Sequence, residues 1–241
     1  MPVVTFLGTG GSFVSQTRAC AGVYVEGNLL DCGFGVLTNL RRAGIPLDMI
    51  ERIFISHTHS DHIGDFTGLV WAMGLEGRRR RLEVISSKET ADSLKRVMEL
   101  QSTPSQILKF GIEYLDPNDV GVRSCSTIHV PDNRAYRLDL DGKSIVYTGD
   151  TVPCLEVVKL ARGCELLIHD STYLARTENL GRTTLHSSAR QAAIEARDAG
   201  ARAVALTHIF PGPSEHDYET EARDVRGVES FVAKDLLRIT V

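Results

Sequence analysis

Apolar positions along this chain recur with two different periods, and the switches between them outline the elements. Positions 3–7 form a short β-favouring run that ends in Gly8-Thr9-Gly10-Gly11-Ser12. Strands are expected at 21–25 and 28–31, joined through Glu26-Gly27 as a hairpin. Val36, Leu37, Leu40 and Ala43 then repeat at helical spacing up to Gly44, and Phe66, Leu69, Val70 and Met73 do so up to Gly74. Between these two helices Arg52-Ile53-Phe54-Ile55 reads as a buried strand. After a strand at 82–85 and a helix at 89–100 the pattern becomes all-β, with strands at 112–115, 122–129, 135–140 and 143–148 and a turn at Asp141-Gly142. The final third alternates: helix 155–161, strand 166–169, helix 188–199, strand 203–207 and a helix around 216–225. Ser188 and Gln191 form a capping box, and Gly200 stops the helix between them and it. Strand-rich blocks interleaved with helices predict an α/β fold of two mixed β-sheets packed together with helices outside. Without a linker or repeat, residues 1–241 are expected to form one domain.

Composition narrows the class. Apolar residues make up 42% and charged residues 24% of 241 positions, as in ordinary globular chains, and no tract is apolar enough to cross a bilayer. The N-terminus reads as a first strand and not as a signal peptide, so the expected compartment is the cytoplasm. Five cysteines without a CxxC pair argue against a disulfide framework and are expected to be reduced and mostly buried. A net charge of -4 gives no general footprint for nucleic acid. Arg78-Arg79-Arg80-Arg81 could grip phosphates, but a charge run on a turn is usually a solvated surface. The glycine turn after the first strand is not followed by an amphipathic helix, which excludes a dinucleotide fingerprint and leaves a tight turn bordering the site.

One stretch does not follow from folding. The strand at Arg52 to Ile55 delivers His57, His59, Asp61 and His62 into a short loop that closes on Gly64. Crowding imidazoles and a carboxylate at a strand end costs several kcal/mol of desolvation unless a cation compensates. His129, His186 and His208 each stand near the end of an expected strand or at the start of a helix, and Asp150 ends its own strand. In layered α/β folds such ends gather in one place. These donors exceed one tetrahedral shell and suit two divalent cations bridged by a carboxylate and a water. Imidazole and carboxylate without thiolate point to zinc, with manganese or iron as alternatives.

His57-Thr58-His59-Ser60-Asp61-His62 resembles the signature of the metallo-β-lactamase superfamily, with His129, Asp150 and His208 where its later ligand motifs fall. The likeness runs from Phe6-Leu7-Gly8-Thr9-Gly10 through Asp31-Cys32-Gly33 to Ala233-Lys234-Asp235, and is strongest to the ribonuclease Z-like branch. It implies a four-layer αββα sandwich. One metal would be held by His57, His59, His129 and Asp150, the other by Asp61, His62, His208 and the bridging Asp150. Asp61 would help orient the attacking hydroxide. His186, opening a helix, would act as the acid with Asp170, although the family usually carries glutamate where Asp170 stands. The resemblance also implies a tendency to form homodimers. His169 and His216 are read as structural or rim residues.

Ribonuclease Z proper holds tRNA with a flexible, basic arm, and no such insertion is visible in this chain. The loop Thr207-His208-Ile209-Phe210-Pro211-Gly212-Pro213 also departs from the ribonuclease form. The expectation is therefore hydrolysis of a small or cyclic phosphodiester, with tRNA 3′ processing next. Arylsulfatase, lactonase or related hydrolysis, and a metal-binding homologue without activity, remain as further readings. Positions 174–185, with Arg176 and Arg182, are expected to form a substrate-facing loop or a surface connection.

Overall fold

Turn chemistry sets the first pairings. β1 (Val3–Gly8) runs antiparallel to β2 (Gly22–Val25), which turns through Glu26 and Gly27, both at positive φ, into β3 (Asn28–Leu30). The computed structural model describes residues 1–13, 15–101 and 106–241, so position 14 of the glycine-turn region lies outside it. α1 (Val36–Arg42), β4 (Arg52–Phe54), the single turn α2 (Ser60–Ile63), α3 (Phe66–Leu75), β5 (Leu82–Ile85), α4 (Lys88–Leu100) and β6 (Ile112–Leu115) complete the first half. The second half runs β7 (Arg123–Ser126), β8 (Arg134–Leu140), β9 (Lys143–Tyr147), α5 (Leu155–Leu160), β10 (Leu166–Asp170) and α6 (Glu178–Thr184). It continues with α7 (Ala189–Ala199), β11 (Ala203–Thr207), α8 (Glu215–Arg223), β12 (Glu229–Val232) and β13 (Arg238–Thr240).

Two mixed sheets result, in the orders β13-β1-β2-β3-β4-β5-β6 and β12-β11-β10-β9-β8-β7. Strands β3 to β6 are parallel in the first and β9 to β12 in the second, with antiparallel pairs outside them. Period-2 alternation divides the side chains between layers. Phe6, Phe54 and Ile85 of the first sheet meet Tyr136, Ile145, Tyr147, Leu166 and Ile168 of the second in a central core. Their neighbours Leu7, Ile53 and Val84 face outward onto α1, α3 and α4 through Val36, Leu40, Phe66, Val70 and Leu94. On the other side Val146, Leu167, Val204 and Leu206 meet the alanine face of α7 and Tyr218 of α8. The expected αββα order of layers is thus present.

Several boundaries differ from expectation. The strand expected at 122–129 stops at Ser126, because Asn133 turns the chain: its carbonyl accepts from the Thr127 N–H and its amide donates to Thr127 Oγ1 and the Thr148 carbonyl. His129 therefore sits on a loop. Positions 174–185 are mostly helical, a short 3-10 turn followed by α6, and Glu178 accepts a bond from Ser188 Oγ. The last two strands are too short and too polar to stand out in the pattern.

Three of the four arginines in the run are spent on structure. Arg78 is buried over the Phe110 ring and donates to the carbonyls of Arg80 and Arg81. Arg80 pairs with Glu51, and Arg81 with Glu83 and Glu113. The five cysteines are free, and all but Cys125 are buried. Among the described residues no helix is long and apolar enough to cross a membrane.

Candidate metal centre

The parallel strands of both sheets deliver their C-terminal ends to one edge, which is where ligands gather in open α/β folds. The loop after β4 and the turn α2 carry His57, His59, Asp61 and His62; Asp150 follows β9, Asp170 ends β10 and His208 follows β11. His129 enters from the β7–β8 loop and His186 from the connection between α6 and α7. All nine chemistry-bearing residues expected from the sequence meet here. Positive φ at Gly149, just ahead of Asp150, and a Cβ-sized space already filled there by Asn133 Oδ1 require glycine.

Two donor sets share Asp150. His57, His59, His129 and Asp150 form one, and Asp61, His62, His208 and Asp150 the other, each with its ligand atoms within 4.8 Å of one another. In the first, His57 Nε2 lies 3.0 Å from His59 Nδ1, which lies 3.3 Å from His129 Nε2. Asp150 Oδ2 is 3.6 Å from His57 Nε2, 3.7 Å from His129 Nε2 and 3.3 Å from His62 Nε2, while Oδ1 is 3.4 Å from His208 Nε2. One carboxylate thus faces both sets. Asp61 Oδ1, His62 Nε2 and both Asp150 oxygens are buried without a hydrogen-bond partner. Most buried polar atoms in native interiors are hydrogen-bonded, and four unpartnered ones gathered on Asp61, His62 and Asp150 fit cations.

The other face of four of the five ligand rings is fixed. His62 Nδ1 lies 2.7 Å from Asp31 Oδ2, and His57 Nδ1 3.0 Å from Ser56 Oγ. His129 Nδ1 donates to the Leu185 carbonyl at 3.0 Å, and His208 Nδ1 to Thr172 Oγ1 at 2.7 Å. These partners set the tautomer that leaves the inward nitrogen free to ligate. Asp31, Leu185 and His208 all hold positive φ, a backbone strain that collects at functional sites. Burial pushes the His57, His59 and His129 rings below their ordinary values, toward the neutral ligating form. Burial opposes ionisation of Asp150 too, but His208 and His62 hold it well below the usual carboxylate range.

His186 stands beside this pair of sets, half-buried, its ring stacked on His208 at 4.9 Å. Its Nδ1 is 2.8 Å from Asp170 Oδ2. Asp170 is anchored by the Thr151 and Thr172 N–H groups and by Thr172 Oγ1 at 2.7 Å. Thr172 therefore links the His208 ring to the carboxylate that holds His186. Burial lowers the His186 pKa, but Asp170 outweighs it and pushes it up to about 9. His169 lies away from the cluster, buried, 2.8 Å from Glu195 Oε2, and His216 is exposed on α8.

Some contributors were not singled out by sequence. Asp31 accepts from the Ser56 N–H and hydroxyl and from Tyr147 Oη as well as facing His62. A carboxylate closing an apolar strand was its only local signal. Gly11 is a further case: a Cβ there would lie 2.4 Å from His208 Cε1, so the glycine turn after β1 packs directly on a ligand ring.

The β-lactamase superfamily domain matches residues 28–209. The ribonuclease Z of Haloarcula marismortui is 27% identical over 96% of this chain and 94% of its own length. That alignment runs over 294 positions, more than fifty beyond the 241 residues of this chain, so the relative carries at least that many positions with no counterpart here. The short form of human tRNase Z superposes with a TM-score of 0.81 at 25% identity, covering 99% of this chain and 98% of that one. A metallo-β-lactamase fold protein from Bacillus subtilis superposes with a TM-score of 0.85 at 23% identity over 99% and 98% of the two chains. The domain match spans well over half of the sequence and includes every residue of both donor sets, and on that ground the chain belongs to the β-lactamase superfamily, as a metal-dependent hydrolase.

Proposed function

We propose that this protein is a two-zinc phosphodiesterase that cleaves RNA at the 3′ side of a structured substrate, in the manner its ribonuclease Z relatives are named for. His57, His59, His129 and Asp150 would hold one ion, and Asp61, His62, His208 and Asp150 the other. Bound there, two divalent cations lower the pKa of a shared water and offset charge on a phosphoryl oxygen. The observation that carries the reading is the set of four unpartnered buried atoms on Asp61, His62 and Asp150, with the His186–Asp170 pair next to them on the open side.

The chain's own groups divide the work. Asp61 Oδ1, with no other partner, accepts a hydrogen bond from the attacking water and orients it toward phosphorus. His186 is bonded through Nδ1 to Asp170, so Nε2 carries the proton that passes to the leaving oxygen. Asp170, shorter by one methylene than the family's usual glutamate, still reaches His186 because β10 runs on to residue 170 itself.

A small phosphodiester, the first expectation from the sequence, stands second. It is favoured by the fifty or more positions present in the relative and absent here, and by a net charge of -4 that offers a large polyanion little. A metal-loaded panel of precursor tRNA with a 3′ trailer, bis(p-nitrophenyl) phosphate, cyclic AMP, an aryl sulfate and a lactone separates the readings. Site-specific tRNA cleavage at higher kcat/KM than any small diester is the expected result. Turnover of small diesters with the tRNA untouched promotes the second reading, and preference for the sulfate or lactone overturns both.

A further inference from the structure

Three aromatic rings from three separate segments stand together at the mouth of the site, and none of them belongs to a hydrophobic core. Phe13 follows the glycine turn, Tyr173 follows β10 and Phe210 follows His208. Phe13 and Phe210 meet edge to face at 4.5 Å, and Phe210 and Tyr173 lie nearly parallel at 6.0 Å. Phe13 is 55% exposed, and Tyr173 and Phe210 are only partly covered. Leaving three rings half in water forgoes burial worth about 1.5–3 kcal/mol for each fully covered side chain, so packing does not account for them.

The rings line a slot of about 100 Å3 whose remaining wall includes Thr184, His186 and His208. Whole-ligand pockets are usually about 300 Å3 or more, so this volume suits one ring-sized group of a larger substrate. Among the described residues, no carboxylate, lysine or arginine lines it. Its polar lining includes His186, the residue that would protonate the leaving oxygen, and Tyr173 meets that ring edge-on at 6.3 Å.

We infer that Phe13, Tyr173 and Phe210 form a stacking subsite for a flat ring carried on the leaving side of the substrate, a nucleobase in an RNA or nucleotide diester. The inference rests on the phosphodiester reading for its direction, since it is the proton donor that fixes which side leaves. The ring lies against Phe210 and Tyr173 while its sugar or ester oxygen comes within reach of His186. Stacking of this kind tolerates any base, because every base presents a π-face. Phe210 lies in the loop after His208, where this chain departs from the ribonuclease form.

The test uses uncleavable monoesters and the full metal-loaded protein, with affinity read by titration calorimetry. Uridine 5′-monophosphate is expected to bind about tenfold tighter than ribose 5-phosphate, the gain of one stacked base. Phe210→Leu and Phe13→Ala, both at partly exposed positions that leave the cores intact, should remove that advantage while leaving ribose 5-phosphate affinity unchanged. Phenyl phosphate separates the sources: affinity equal to that of the nucleotide means the slot reads any flat ring, and affinity equal to that of ribose 5-phosphate means it reads a nucleobase. Equal binding of all three esters by the unmodified protein, or a nucleotide advantage that survives both substitutions, overturns the subsite. A ring advantage in a protein that cleaves no diester would instead retain the subsite and remove the catalytic reading beneath it.

Discussion

A buried carboxylate with no hydrogen bond to either oxygen costs several kcal/mol, and Asp150 is in that position while also facing five imidazoles. Its neighbour His186 forms a third donor cluster with Asp170 and His208, but its Nδ1 is taken by Asp170 at 2.8 Å. The two should therefore fail differently. His186→Ala is expected to lower kcat about 10²- to 10⁴-fold with metal content unchanged. His208→Ala should deplete one of two metals, measured by elemental analysis after gel filtration. Loss of metal in the first variant would make His186 a ligand and not the acid. The pH profile gives an independent reading. An acid must be protonated to act, and a raised pKa keeps His186 protonated through neutral pH, so its contribution is flat on the acid side and lost as pH rises toward about 9. Bound cations shift that limb downward. Asp170→Asn removes the charge that raised it, and the basic limb of kcat should move to lower pH; an unmoved limb would assign it to another group.

Among the elements, what was legible depended on how local the signal was. The His57 to His62 motif, the Asp141-Gly142 turn and the Ser188 cap each declare themselves within six residues, and each stands in the structure where the pattern put it. Asp31, Thr172 and Glu195 do not, because their partners lie 31, 36 and 26 residues away. Their roles exist only once β3, β10 and α7 are in place. The end of β7 differs from the pattern for the same reason, since the Asn133 side chain that turns it donates to the Thr148 carbonyl just past β9. His169 and Glu195 illustrate the energetic side. This buried pair ties β10 to α7, and Glu195 also accepts from the Cys154 N–H at the start of α5. Removing one partner of such a pair strands the other, so Glu195→Ala should cost about 3–5 kcal/mol in urea unfolding. A cost below about 1 kcal/mol would mean the pair is not a structural tie. Gly11→Ala is the companion case at a turn. The added methyl collides with the His208 ring, so one metal should be lost, and the unfolding midpoint of the metal-loaded protein should fall by what that site contributes.

At the scale of the whole molecule, each donor set draws on both sheets. His57, His59, Asp61 and His62 come from the first sheet, whereas His129, Asp150 and His208 come from the second. Beneath the site the halves are joined by apolar contacts and by two hydroxyls, Tyr136 Oη donating to the Ile55 carbonyl and Tyr147 Oη to Asp31. At the site itself, Asp61 of the first sheet and Asp150 of the second keep buried oxygens without hydrogen-bond partners, a desolvation cost that bound cations would offset. A cation that binds the folded chain and not the unfolded one stabilises it by about 2.7 kcal/mol when free metal is 100 times Kd. For a chain of this size that corresponds to roughly 5–10 °C in Tm per occupied site. Chelation should therefore lower Tm in two steps, and zinc should restore it in proportion to the logarithm of its free concentration. Asp150→Asn, which weakens both sets at once, should abolish both steps, whereas His59→Ala should abolish only one. A Tm that ignores chelator in the unmodified protein would mean that the central apolar core alone holds the sheets in register, and that the donor atoms at their edge bear their desolvation without help.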